Sequence, residues 1–391
     1  MMPQGHGDDE RRIGPEASCR QPVRNPPDPV NRASVMKKAA IVILTVLTCM
    51  VMLEWGLRAT GRIPSNTTDG IAEEFGDSFK LKKNMTKQFN YPAFSYTVHT
   101  NVYGFRDKAT GEKDLRTHPF LAFLGASEVY GNGVDFERTF VGIFAQEASR
   151  RGFEVVNLAV GGHYFLDQED LFKDFVKNTG LRPSTVFLCA NALHIPKFDR
   201  RNRNIIVKNG YAINKNGWRV TYLKLLAGEN SSAYCFFRDG IRRIQERFLN
   251  YELKEDSYEF LQVYSKSNKI RDLERIEAFY DHLTGFRRYC RENGIDLVIV
   301  YLPLSDSFNL KEIVKKLGAD PENYDSSFYE ELIGSYCRGN GIKLIDARPV
   351  LDRAYSEGRD IRFKLDPHYN EYGNRIIGEF LTQEFFDVKR D

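Results

Sequence analysis

A run of five apolar residues that leads into a glycine and a serine places the strongest constraint on how this chain can fold. Phe120–Leu124 suits a short strand buried on both faces of a sheet. Gly125, Ala126 and Ser127 follow at once, so a hydroxyl group stands at the carboxyl end of that strand. In open α/β sheets, ligands bind in the crevice outside the carboxyl ends of the strands. Ser127 is therefore a candidate nucleophile, with a turn serine that caps a helix as the alternative.

From residue 120 onward, short apolar runs alternate with amphipathic stretches. This alternation predicts a parallel sheet with helices on both faces, joined by right-handed crossovers. We expect a three-layer α/β/α fold with a mainly parallel five-stranded sheet, preceded by one transmembrane helix. The predicted strands are Phe120–Leu124, Val155–Val160, Thr185–Ala190, Asp296–Leu302 and Lys343–Asp346. The predicted helices are Arg138–Gly152, Leu166–Asn178, Arg271–Asn293, Ser326–Asn340 and Asn370–Phe386.

The partners of a nucleophilic serine would come from the far end of the chain. Asp366 and His368 stand just before Asn370, a good N-cap for the last predicted helix. A carboxylate two residues before a histidine can hold the imidazole through Nδ1 while Nε2 faces a serine. An isolated Asp-Pro-His is more simply a solvated loop, but its combination with Ser127 is much rarer. The sequence thus predicts Ser127, His368 and Asp366 as a catalytic triad.

These motifs resemble those of the SGNH/GDSL hydrolases, in particular membrane-anchored bacterial members. The first block of that family reads Gly-Asp-Ser, and here it is Gly125–Ser127 followed by the family-like Tyr130–Val134. The last block is matched by Asp366–His368, and Asn101–Asp107 resembles the turn that often precedes the first strand. The resemblance covers roughly residues 95 to 388, which is far more than a single motif.

Two further blocks imply donors for an oxyanion. Asn157–Gly162 matches the second block, so the resemblance implies that the Gly162 amide, or alternatively that of Gly161, is one donor. The third block, Gly-x-Asn-Asp, is matched at Cys189–Ala192, which implies that the Asn191 side chain is another. With these donors the resemblance implies acyl transfer, in which His368 takes the proton from Ser127 as it attacks an ester carbonyl.

The chain departs from the family pattern at two positions. Ala126 replaces the aspartate of Gly-Asp-Ser, and Ala192 replaces the aspartate of Gly-x-Asn-Asp. Neither aspartate is the triad acid, so the departures weaken the support of the site rather than its reacting groups. The departures add a non-catalytic relative to the two enzymatic functions, which the sequence does not separate because both use the same acyl-enzyme, so three functions stay open. These are an esterase acting on acetyl or other acyl esters of envelope glycans or lipids, an O-acyltransferase to a polysaccharide hydroxyl, and a non-catalytic glycan-binding relative.

An apolar run near the N-terminus predicts a membrane anchor. Ala39–Leu53 has no charged residue, and its extension to Leu57, at about 1.5 Å per residue, nearly crosses a hydrocarbon core of about 30 Å. Lys37 and Lys38 precede the run, so the N-terminus is expected in the cytoplasm. The rest of the chain would then lie outside the inner membrane, in the periplasm where there is an outer membrane. A cleaved signal peptide and a buried core helix are the alternatives.

The boundaries that we expect divide the chain into four segments. Residues 1–35 are rich in Pro, Arg, Asp and Gly and predict a disordered tail. Residues 36–58 form the transmembrane signal anchor, and residues 59–117 a juxtamembrane tether and edge element. Residues 118–391 form an SGNH hydrolase-like domain with an insertion at about 195–266.

The insertion is expected to cap the site and to set what enters. Asn209–Gly210 lies inside the apolar stretch Ile205–Ile213 and predicts a hairpin, because that pair supplies the positive φ angles of its turn. Ser231 or Ser232 could cap a helix through about Leu249 with one apolar and one basic face. That helix either packs its apolar face on the domain or rests on anionic lipid.

Composition excludes several other classes of function. The net charge is +3 from 56 basic and 53 acidic residues, which gives no field that would favour nucleic acid. Six widely spaced cysteines lack metal-ligand spacing, so we expect no metal, no cofactor and no disulfide framework. Cys290 and Cys337 are expected as packed thiols on neighbouring helices. His163 and His194 lie near the predicted site and are expected to be structural.

Overall fold

The computed structural model describes residues 29–60, 70–91, 94–108, 115–249, 262–268, 271, 273–364 and 366–387. The chain divides into two compact units between Gly56 and Leu57. Helix α1 (Pro29–Ala59) begins in the first unit. In the described part of the chain, its segment Ser34–Ala59 is the one helix long and apolar enough to cross a membrane, a test that a signal sequence also passes. Most of the predicted tail, residues 1–28, lies outside the described residues.

The second unit is built from fourteen short strands and ten further α-helices among its described residues. The strands are β1 (Ala72–Phe75), β2 (Ser78–Leu81), β3 (Thr86–Asn90), β4 (Ser95–Thr100), β5 (Arg106–Asp107), β6 (Phe120–Leu124), β7 (Glu154–Asn157), β8 (Thr185–Ala190), β9 (Ile205–Lys208), β10 (Tyr211–Asn214), β11 (Asp296–Tyr301), β12 (Lys343–Asp346), β13 (Arg362–Phe363) and β14 (Asp366–Tyr369). The helices are α2 (Ser127–Tyr130), α3 (Phe140–Arg150), α4 (Phe165–Thr179), α5 (Trp218–Asn230), α6 (Ser232–Leu249), α7 (Leu273–Glu292), α8 (Leu310–Lys316), α9 (Phe328–Asn340), α10 (Arg348–Ser356) and α11 (Glu371–Thr382).

One eight-stranded sheet, in the order β12-β11-β8-β6-β7-β5-β4-β3, organises this unit. The five strands from β12 to β7 are parallel, as the sequence predicts, and β6 lies at their interior. The predicted class, a three-layer α/β/α fold, is confirmed, but the sheet is larger than five strands. Strands β5, β4 and β3 extend it in antiparallel pairing. They precede the repeating strand–helix pattern from which the five strands were predicted.

Two phenylalanines of β6 show how the sheet is covered on both faces. Phe123 packs against Phe140 and Phe144 of α3 on one face. Phe120 packs against Phe175 of α4 on the other. Side chains three positions apart in a strand point to opposite faces, so helices cover both sides of β6. This double cover explains why all five residues of the strand are apolar and buried.

Helix ends differ from the predicted ones by a few residues. Helix α3 begins at Phe140 because the Thr139 side chain accepts from the Gly142 amide, after a 3₁₀ turn at Phe136–Arg138. Helix α11 begins at Glu371 because the Asn370 side chain accepts from the Gly373 amide at 2.9 Å. Its last turn widens into a π-helical segment at Gln383–Asp387.

The insertion contains the predicted hairpin and the predicted helix. Strands β9 and β10 pair antiparallel, with Asn209 at φ 50° and Gly210 at φ 89° in the turn. The Ser231 hydroxyl accepts from the Tyr234 amide at 3.1 Å and caps α6. The Gly210 carbonyl accepts from the Ala72 amide at 2.7 Å, so the hairpin lies against β1 and β2. That the insertion caps the site stays a prediction. Cys290 and Cys337 are free buried thiols, as expected.

Candidate active site

The predicted nucleophile lies at the carboxyl end of the interior strand β6. Gly125 has no room for a side chain, because a Cβ there would stand 2.1 Å from Cγ2 of Val129. Ser127 opens the short helix α2 directly after this glycine and Ala126. Its hydroxyl is half-buried and donates to Oε2 of Glu128 at 3.2 Å.

The predicted base and acid lie together on β14. Nδ1 of His368 is 2.5 Å from Oδ1 of Asp366, which also accepts from the His368 amide at 2.9 Å. The one carboxylate oxygen thus fixes both the ring and its backbone. Burial lowers the pKa of His368. The hydrogen bond to Asp366 and the charges of Glu128 and Asp366 together raise this pKa by more than burial lowers it. The net pKa lies above the ordinary value.

Helix α2 packs against β14, which brings the serine loop to the histidine. Nδ2 of Asn132 lies 3.4 Å from Nε2 of His368, and the Asn132 amide donates to the Ser127 carbonyl at 3.2 Å. An amide nitrogen can only donate, so Nε2 accepts and the proton of a neutral His368 sits on Nδ1, facing Asp366. In the described part of the chain, the Ser127 hydroxyl bonds Glu128 and not His368. Catalytic hydrogen bonds often tighten only when substrate is bound.

Three hydrogen-bond donors follow parallel strands at the same edge of the sheet: the amides of Ser127 and Gly162 and Nδ2 of Asn191. Leu124 of β6 pairs with Leu188 of β8 in parallel register, and Ser127 and Asn191 each lie three residues past this pair. Oδ1 of Asn191 accepts from the amides of Leu193 and His194, which fixes the side chain in a turn. Gly162 follows β7 with φ 80°, in open space where a Cβ would touch nothing. No described residue accepts a hydrogen bond from the amides of Ser127 and Gly162 or from Nδ2 of Asn191.

A buried arginine holds the loop that follows Ser127, the predicted nucleophile. Arg106 is fully buried, and its guanidinium donates to the carbonyls of Tyr130 and Gly131 at 2.6 Å each and of Val134 at 2.5 Å. Its guanidinium carbon lies 5.3 Å from the ring of Tyr96 and 4.9 Å from that of Tyr130. Three carbonyls of one loop are thereby bound to a single rigid group.

Asn157 and Tyr96 connect this support to the site. The Asn157 side chain donates to the Val129 carbonyl at 2.9 Å and so ties β7 to helix α2. The Tyr96 hydroxyl donates to Oδ1 of Asn132 at 3.3 Å and orients the amide that faces His368. The side chains of Ala126 and Ala192, where the family pattern has aspartates, are buried methyl groups.

Sequence reasoning missed three residues of the site. Glu128 directly follows the predicted nucleophile, and its charge acts on His368, His194 and Cys189. The adjacency of a carboxylate to a nucleophilic serine was the available signal. Asn132 and Arg106 lie within segments that resemble the family. No local sequence pattern shows that Asn132 hydrogen-bonds His368 or that Arg106 hydrogen-bonds the loop after Ser127.

The two unassigned histidines are buried. Nε2 of His163 lies 2.8 Å from the Phe79 carbonyl and donates to it, so the ring joins β2 to the loop after β7. Burial lowers the pKa of His163, which favours its neutral form. Burial also lowers the pKa of His194, against the opposing charge of Glu128. The structural role expected for both stays a prediction. No group of three or more potential metal ligands occurs within the described ranges.

A charged cleft adjoins the Gly162 turn. It has a volume of about 480 Å³ and lies between the β1–β2 turn and α4. Nδ2 of Asn202 donates to the Gly162 carbonyl at 2.9 Å, and the Asn202 amide donates to Asp167. Arg201 pairs with Asp170 in the same wall. The cleft therefore shares Asn202 with the loop that carries a proposed oxyanion donor.

Comparison with solved structures gives matches among hydrolases and esterases. A protein described as lipolytic and of the G-D-S-L family, from Desulfitobacterium hafniense, is 15% identical; the match covers 68% of this chain and 98% of that one, with a TM-score of 0.35. A psychrotrophic esterase from Pseudoalteromonas is 9% identical over 70% and 99% of the chains, with a TM-score of 0.37. An acetylxylan esterase from Geobacillus stearothermophilus, solved as a catalytic mutant, is 10% identical over 68% and 93%, with a TM-score of 0.38. No family model and no curated protein matches the chain.

Proposed function

We propose that this chain, with its parallel α/β sheet and its Ser127, His368 and Asp366, is a serine esterase of the SGNH/GDSL type. One observation carries the proposal. The Asp366–His368 pair lies against the loop of Ser127, with Nδ1 of the histidine committed to the carboxylate and Nε2 directed at that loop. This is the polarity that a general base for a serine needs.

In the proposed reaction, His368 takes the proton of Ser127 while the serine oxygen attacks the carbonyl carbon of an ester. The alcohol leaves with the proton returned by His368, and water then releases the acid from the acyl-enzyme by the same route. Asp366 holds the imidazole and stabilises its charge. The amides of Ser127 and Gly162 and Nδ2 of Asn191 would bind the oxyanion, each such donor typically worth about 2.7–4 kcal/mol.

The proposed substrates are acetyl or other acyl esters of cell-envelope glycans or lipids. The cleft beside Gly162 supports a glycan, because the carboxylates of Asp77 and Asp174 in its lining reach solvent and suit sugar hydroxyls. The apolar segment of α1 supports single-pass anchoring in the inner membrane, with the catalytic unit outside the cytoplasm. The four sequence segments and their boundaries belong to the same proposal.

The test uses the purified full chain in detergent and 4-nitrophenyl acetate. We expect ester hydrolysis, with a loss of at least about 10⁴-fold in kcat for Ser127→Ala, as in other enzymes of this mechanism. The matched control is Ser149→Ala, an exposed serine on α3, which should keep full activity. A fluorophosphonate should label the chain at Ser127, as located by peptide mass spectrometry.

The same experiment separates the other readings. Turnover that is equal in wild type and Ser127→Ala would overturn the triad. An absence of both turnover and labelling would favour a glycan-binding relative. If an added oligosaccharide becomes acetylated while less free acetate is released, the acyl group goes to a sugar hydroxyl in preference to water. The protein would then be an O-acyltransferase.

A further inference from the structure

The insertion carries two helices whose large apolar side chains face solvent. On α5, Val220 and Leu223 are 60% and 65% exposed. On α6, Phe237, Ile241 and Ile244 are 48%, 57% and 59% exposed. The three positions on α6 follow the spacing of a single helix face. This face is therefore not packed on the domain, and exposed apolar faces of this kind mark sites of association.

We propose that the pair α5–α6 lies in the headgroup region of the bilayer that carries the N-terminal anchor, against anionic lipid. The inference rests on the membrane anchoring in the proposed function. It assigns the insertion a second role, which is to hold the catalytic unit against the membrane surface.

The charge of this segment suits an anionic lipid surface. Residues 218–249 carry a net charge of +3, as much as the whole chain. The basic residues are Arg219, Lys224, Arg238, Arg242, Arg243 and Arg247, and the acidic ones are Glu229, Asp239 and Glu246. Basic amphipathic helices with aromatic and aliphatic residues on the other face bind at the membrane interface. Burial of the apolar face and attraction of the basic residues to anionic lipid both contribute to this binding.

The connection to the anchor favours a membrane over a soluble partner. Arg58 directly follows the apolar run in sequence, and its Nη2 donates to the Asn230 carbonyl at the end of α5 at 2.8 Å. A cation at that end also complements the helix dipole. Glu229, the residue before it, bonds Lys87 of β3 and Tyr211 of β10. The end of α5 is thus bound both to the residue that leaves the anchor and to the strands of the catalytic unit.

Tryptophan fluorescence can test this placement in the full chain. The sequence has two tryptophans, at positions 55 and 218. Trp218→Phe leaves Trp55, near the end of the anchor, as the only tryptophan. Trp55→Phe with Trp218→Phe and Phe237→Trp places a single reporter on the exposed face of α6. The matched control replaces Tyr355 instead, a 41% exposed aromatic residue on α10.

Each variant is reconstituted in vesicles of phosphatidylcholine and phosphatidylglycerol with brominated acyl chains, which quench tryptophan on contact. We expect strong quenching of Trp55 and of the reporter at position 237, and none at position 355. Arg219→Gln with Lys224→Gln should reduce the quenching at position 237 in anionic vesicles. Hydrolysis of 4-nitrophenyl acetate by each variant reports separately on the catalytic proposal.

The outcomes distinguish the two levels of the proposal. Quenching of Trp55 without quenching at position 237 would overturn the placement of α5–α6 and leave the anchor intact. If the reporter at position 237 were unquenched and blue-shifted, a second protein chain would cover the face, which also overturns the inference. An unquenched Trp55 would overturn the anchoring, and this inference with it.

Discussion

Arg106→Lys gives the sharpest test of how the serine loop is held. The substitution keeps the buried positive charge but replaces a planar fork by a single ammonium group. Arg106 donates to the carbonyls of Tyr130, Gly131 and Val134, and its side chain is fully buried. A lysine cannot span these three carbonyls, so we expect it to keep one bond and lose two.

The size of the effect follows from those two bonds. A hydrogen bond to a charged group contributes about 1.5–3 kcal/mol, so the free energy of unfolding should fall by at least about 3 kcal/mol. That is a large share of the roughly 5–15 kcal/mol by which folded proteins are stable. The Ser127 loop should also move more, because two of its carbonyls lose their common partner.

Urea unfolding of the full chain in detergent, followed by circular dichroism, measures the first effect. At a slope of about 3 kcal/mol per M, the midpoint should fall by about 1 M. The rate at which a fluorophosphonate labels Ser127 in the absence of urea measures the second effect, and it should also fall. The control is Arg375→Lys on the exposed face of α11, where surface substitutions change stability by no more than about 0.5 kcal/mol. A midpoint and labelling rate for Arg106→Lys that match those of the control would refute the reasoning.

Three other substitutions test the electrostatics of the unit. Asp366→Asn should lower kcat for 4-nitrophenyl acetate by about 10³–10⁴-fold, because the imidazole loses the partner that fixes its tautomer; a loss below tenfold would contradict this. Glu128→Gln should lower the pKa of His368, so the acid limb of kcat/KM, which rises as His368 loses its proton, should move to lower pH; an unmoved limb would contradict the charge effect. Burial raises the pKa of Asp346 from its ordinary value to about 7, so its ionisation costs stability as pH rises from about 4 to about 7, and the cost is constant above that range. Asp346→Asn should therefore raise the urea midpoint more at pH 8 than at pH 5, and equal shifts at both would count against this.

The sequence predicts the elements whose pattern is local. Phe120–Leu124 and Thr185–Ala190 have the predicted bounds, because apolar runs between turn residues mark strands buried on both faces. Lys343–Asp346 also has its predicted bounds, at the edge of the sheet. Asn209–Gly210 identifies its hairpin because few residue pairs adopt the required φ angles.

The sequence does not show what depends on distant contacts. Arg106 looks like a charged residue in a polar segment, and only the folded sheet places it under the loop of Tyr130–Val134. The antiparallel strands β3, β4 and β5 could not be predicted as part of the sheet from the strand–helix repeat, because they lie before that repeat in the sequence. Asn132 could not be assigned, because its partner His368 lies 236 positions away in the chain.

The order of the strands determines where a truncated form of this protein can begin. β5 pairs with β7 through one residue pair, Arg106 with Asn157. Since Arg106 also binds the loop after Ser127, the support of that loop comes from chain that precedes the first parallel strand. A recombinant fragment begun at residue 118 would discard that support and bare the flank of β7 as an aggregation-prone edge. Expression of the catalytic unit should therefore begin upstream of β1.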